Sequence, residues 1–121
     1  MTLPKLLLGS LVWLALLLSA ALMPKGFSFS GVSNRFITPN GDSKNDTAVF
    51  NFENPQYASV SGKVFDMQGK KVADMTAGNP SWSQLVWNAK SSAGEPVSAG
   101  AYVFVIEAEG GVFRGVVVVI R

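Results

Sequence analysis

The chain has 121 residues, 48% of them hydrophobic and 15% charged, with no cysteine, no histidine and a formal charge of +2. That length holds one domain, and the two absences exclude disulfides, thiol nucleophiles, thiolate or imidazole metal ligation and any nucleophile–histidine–acid triad. The charge excess sits at the N-terminus: without residues 1–21, nine basic residues face eight acidic ones, too near neutrality for an electrostatic footprint on nucleic acid.

Met1 to Lys5 carries one lysine, and Leu6 to Met23 then runs without a charge. Small residues at Ser19, Ala20 and Ala21 supply a cleavage box, the three-part layout of a secretory signal peptide. The apolar run also reaches the lower limit for a membrane-spanning helix, about 18 residues. Residues 1–21 are therefore expected to be a signal peptide or a membrane-anchor helix, with membrane contact only through residues 6–23. Either reading exports the rest of the chain. Residues 22–33, with the small, polar stretch Gly26 to Ser33, are expected to be a linker.

Short apolar runs separated by turn residues follow. Arg35 to Ile37 is an expected strand stopped by Pro39-Asn40-Gly41, and Thr47 to Phe52 another, ended by Asn54-Pro55. Ser59 to Asp66 and Lys71 to Met75 form an expected hairpin whose turn uses Gly69 for a positive φ. Ser83 to Asn88 places Leu85 and Trp87 on one face. In Ala101 to Glu109, Tyr102, Phe104 and Ile106 face one way and Val103, Val105 and Glu107 the other. Gly110-Gly111 turns the chain into Val112 to Arg121, which pairs back antiparallel. About seven strands at near-regular spacing predict an all-β fold, an immunoglobulin-like antiparallel sandwich over residues 34–121.

The stretch Phe36 to Thr47 carries oxygen-bearing side chains at Asn40, Asp42 and Asp46 around a glycine turn, the pattern of a calcium loop. The competing reading is a turn whose side chains cap the backbone. Trp87 and Tyr102 read as core, and Trp82 as an exposed aromatic with a binding role or none. Glu107 and Glu109 share a strand face beside a Gly-Gly turn, where solvation suits them better than acid–base work. Val116 to Ile120, apolar on both faces, is either buried or met by a partner strand.

Four segments together carry a resemblance. Phe36-Ile37-Thr38-Pro39-Asn40-Gly41-Asp42 with Asn45-Asp46-Thr47, Val64 to Val72, Trp87-Asn88 with Gly94 to Tyr102, and the closing strand ending at Arg121 resemble the gliding-motility-associated C-terminal domains, or type B sorting domains of the type IX secretion system. They are also similar to the Ig-like domains named after the flagellar hook-capping protein. The chain departs from the family pattern where Ser43 and Ala89 stand at glycine positions, Asn88 at an aspartate and Ser98 at a proline. The resemblance implies an Ig-like fold without a catalytic site. With no long cargo region ahead of the domain, the leading expectation is an exported, non-enzymatic module that docks on a protein partner in the bacterial cell envelope. The alternatives are a sorting module recognised by the type IX secretion machinery, and a calcium-stabilised extracellular binding domain. The compartment follows: periplasm, outer-membrane surface or extracellular space, or the inner membrane if residues 6–23 stay as an anchor.

Overall fold

A strand with one buried face needs apolar residues at every second position, and the longest runs obey this rule along their whole length. In the computed structural model, which describes residues 26–121, these runs become nine strands, and no described residue is helical. The signal peptide or anchor expected over residues 1–21, and the membrane contact through residues 6–23, lie outside the described residues. The strands are β1 (Ser28–Ser33), β2 (Phe36–Ile37), β3 (Ala48–Glu53), β4 (Val60–Phe65), β5 (Lys71–Asp74), β6 (Thr76–Ala77), β7 (Gln84–Trp87), β8 (Gly100–Ala108) and β9 (Gly111–Val119). They form two sheets, ordered β1-β3-β7-β6 and β2-β9-β8-β4-β5.

The inner faces of the two sheets meet through aromatic rings. Phe50 of β3 meets Phe104 of β8 edge-on at 4.8 Å between centroids, and Trp87 of β7 meets Tyr102 of β8 at 5.3 Å. Each such pair is worth about 0.5–1.5 kcal/mol beyond the area it removes from water. Tyr102, Phe104 and Ile106 are buried along β8 while Glu107 stays exposed, as the alternation predicts. Gly115 of β9 leaves room for the Phe104 ring, whose nearest atoms would lie 2.5 Å from a Cβ at that position.

Three features depart from the sequence expectations. The segment 22–33 is not a linker throughout, because Ser28–Ser33 is β1, paired antiparallel with β3. Its small residues hid apolar ones: Phe27, Phe29 and, across the register shift at Phe29/Gly31, Val32 pack against the core, and Phe29 reaches Phe104 at 5.8 Å. Nine strands replace about seven, the additions being β1 and the two-residue β6. The sandwich is also not wholly antiparallel, since β2 runs parallel to β9, pairing Phe36 with Val118 and Ile37 with Val119. Between β1 and β2, where the chain passes from one sheet to the other, Asn34 takes a φ of 66°, and its side-chain amide donates to the Thr47 carbonyl at 3.0 Å.

Tyr102 also ties the sheet to the loop before it, its hydroxyl donating to the Ser98 carbonyl at 2.6 Å. Burial first, and the nearby Asp66 carboxylate second, raise its phenol above the ordinary value of 10.0, while Arg121 opposes them. Tyr102→Phe is expected to cost about 1 kcal/mol in urea unfolding at neutral pH, the usual worth of one such bond. The raised phenol keeps in the fold a proton that the unfolded chain releases. Its stabilisation is complete below the unfolded value of about 10 and is lost as pH rises through the higher folded value. The stability gap between wild type and Tyr102→Phe should therefore narrow in alkaline titration.

Candidate functional site

The resemblance-bearing segments lie far apart in sequence, but pairing brings their ends to one end of the sandwich. Ala48 opposite Trp87, Phe65 opposite Val103 and Gly100 opposite Val119 place the 38–47 loop, the 66–70 turn, the 88–99 connection and Arg121 together. A cleft of about 240 Å³ lined by Pro39, Gly41, Asp46, Thr47, Asn88 and Lys90 separates two of these loops.

Each loop is built by side chains that satisfy backbone groups. In the 38–47 loop, Asp46 Oδ1 accepts from the Asn40 and Gly41 amides (3.0 and 3.2 Å) and its Oδ2 from the Ser43 amide (2.8 Å). Asn40 Oδ1 accepts from the Asp42 amide at 3.1 Å, and Asp42 Oδ1 from the Lys44 amide at 2.8 Å. These are Asx-type bonds, which give a turn the amide partners that a ladder would otherwise supply. Asn40, Asp42 and Asp46, the candidate calcium ligands, are thus brought into one loop, each with an oxygen engaged by the loop's own amides. No group of three or more acidic side chains able to hold a metal occurs among the described residues.

The other loops follow the same logic. Asp66 Oδ1 accepts from the Gln68 and Lys70 amides (3.0 and 2.9 Å), and Gly69 takes φ 88° in that turn. The Trp87 indole donates to the Lys90 carbonyl at 2.9 Å, and Arg121 Nε donates to the Val97 carbonyl at 2.8 Å. The C-terminal arginine therefore pins the 88–99 connection from the far end of the chain. The arrangement offers a mixed-charge surface on which the Asp42, Asp46 and Asp66 carboxylates each accept from the amides of their own loop.

The glycine departures have a structural cost. Ser43 and Ala89 both adopt the left-handed region, at φ 64° and 59°, where an L-residue with a Cβ is disfavoured by about 1–2 kcal/mol.

Trp82 is 53% exposed and stands edge-on to Tyr57, 71% exposed, at 6.1 Å. This pair lies by the β3–β4 connection, away from the motif end. Tyr57 was not singled out in the sequence; the signal was Asn54-Pro55 ahead of it, since Asn54 accepts from the Ala58 amide at 2.8 Å and sets the loop that presents the ring. Trp87 and Tyr102 are both buried core, and Glu109 is used structurally, its Oε2 accepting from the Phe27 amide at 3.0 Å.

Two outcomes are expected from this geometry in urea unfolding. Asp46→Ala, which removes the acceptor of the Gly41 and Ser43 amides and leaves the Asn40 amide only the Thr38 carbonyl, should lose about 1 kcal/mol and speed hydrogen exchange at Gly41 and Ser43 most. Ser43→Gly should gain about 0.5–1 kcal/mol, the relief of left-handed strain less the entropy of an added glycine.

No curated protein matches the chain. The profile of the CHU_C type IX secretion signal domain matches residues 30–118, which span the 38–47 loop, the 66–70 turn and the 88–99 connection. The chain therefore belongs to the CHU_C type IX secretion signal domain family.

Proposed function

We infer that the domain is a non-enzymatic secretion signal, recognised by the type IX secretion machinery, on a protein that is secreted or displayed at the cell surface. The observation that carries this reading is the family match over residues 30–118, nearly the whole of the folded region. It favours sorting over the envelope-docking role that led the sequence reading. The architecture agrees with an Ig-type module. Strands β1, β3, β7 and β6 occupy the order A-B-E-D, and β9, β8 and β4 the order G-F-C. Tyr102, near the start of β8, bonds the backbone four residues upstream in the manner of the tyrosine corner of such domains. The recognition surface in this reading is the motif end, where the 38–47 loop, the 88–99 connection and Arg121 meet. Side-chain-to-backbone bonds hold it rigid, so little ordering entropy is lost on docking.

A reporter carrying a standard export signal at its N-terminus and residues 26–121 at its C-terminus tests the reading in a host with type IX machinery. The reporter is expected at the cell surface or in the medium, and to stay in the periplasm when the machinery is deleted. Retention in both hosts would sink the proposal. A fusion beginning at residue 34 lacks β1, with Phe27, Phe29 and Val32, and is expected to be degraded rather than exported.

A further inference from the structure

The geometry points to a second recognition element: the outer edge of β9, over Gly111–Val116, is a strand-addition site for an extended segment of a partner protein that places a carboxylate against Arg114. This site lies along the sheet rather than at the motif end and does not depend on which partner reads that end.

Strand alternation shows which backbone groups are open. The amides of Val118 and Ile120 donate outward to Arg35 and Ile37 of the β2 segment (2.7 and 2.8 Å). By the same period of two, the N–H and C=O groups of Val112, Arg114 and Val116 point outward as well. The strand β2 covers β9 only at Val118 and Val119, so among the described residues no strand pairs with these three.

The remaining edges carry the protections that natural sheets use. A register shift at Phe29/Gly31 interrupts β1, and β6 is two residues long. The four-residue β5 carries a Lys71–Asp74 ion pair at 2.8 Å and faces an irregularity at Val64/Phe65. By contrast β9 runs for nine residues without proline or register shift. It exposes Val112 (48%) and Val116 (42%) on either side of Arg114, an exposed cation with no carboxylate partner among the described residues.

The charge decides the occupant. A second copy pairing across a two-fold axis uses all three open residues only in the register that sets Arg114 opposite its own counterpart, and like charges directly opposite destabilise a ladder. A different chain, with β-branched residues beside an acidic one, satisfies the open amides, covers the valines and neutralises Arg114.

The probe is a synthetic eight-residue peptide of alternating valine and threonine with one central glutamate, added to the isotopically labelled full chain. Hydrogen exchange at the Val112, Arg114 and Val116 amides is expected to slow by about tenfold or more at saturation, as exposed amides enter a ladder. The same peptide with a central lysine should bind about tenfold more weakly, and that difference should shrink at high salt. Val116→Pro, which removes an outward donor without touching the β8 ladder, should abolish binding. Should that variant fail to fold, Arg114→Glu must reverse the preference between the two peptides. Protection at β5 instead, equal binding of both peptides, or no protection at millimolar peptide would each overturn the proposal. A failure here leaves reporter export intact, and a failure of reporter export leaves peptide protection intact, so the two readings are separable.

Discussion

Tyr102 joins three levels of this structure. Its ring lies in the core against Trp87, bridging the two sheets, while its hydroxyl reaches out to the Ser98 carbonyl. Trp87 in turn donates to Lys90, and Arg121 grips Val97. The 88–99 connection, with little regular structure of its own, is therefore held from both sheets and from the chain terminus. A domain of this size has only a few kcal/mol of net stability. Two buried aromatics whose polar atoms are both satisfied give packing and loop order at once, and no buried side-chain polar atom among the described residues lacks a partner.

The same economy shapes the loops of the motif end. The carboxylates of Asp46, Asp66 and Asp42 are engaged by three, two and one neighbouring amides respectively. Such groups shape loops. Under the proposed sorting role, shape and charge are what this end would present to the secretion machinery. The edge of β9 from Val112 to Val116, which no strand among the described residues covers, would add a different kind of information, main-chain pairing, on a separate part of the surface.

The positions where glycine is replaced show how the fold tolerates local cost. Ser43 and Ala89 hold left-handed backbone because their neighbours determine it: the Ser43 amide is bound by Asp46, and Ala89 is fully buried with its carbonyl bonded to the Val97 amide. Strain of this sort persists where the surroundings over-determine the conformation.

Sequence alone determined the seven main strands, the inward set Tyr102, Phe104 and Ile106, the turn motifs and the family resemblance they carry, because these depend on period-two alternation and on residues with narrow conformational preferences. It also singled out Asn40, Asp42 and Asp46 as one constellation, but not where their oxygens point. Only the tertiary structure decided that Ser28–Ser33 is a strand, that β2 runs parallel to β9, that Tyr57 joins Trp82, and that Val116 lies at a partly open edge. Each of these turns on which strand lies beside which. Strand neighbours are set by long-range packing across the core, and local pattern carries no record of them.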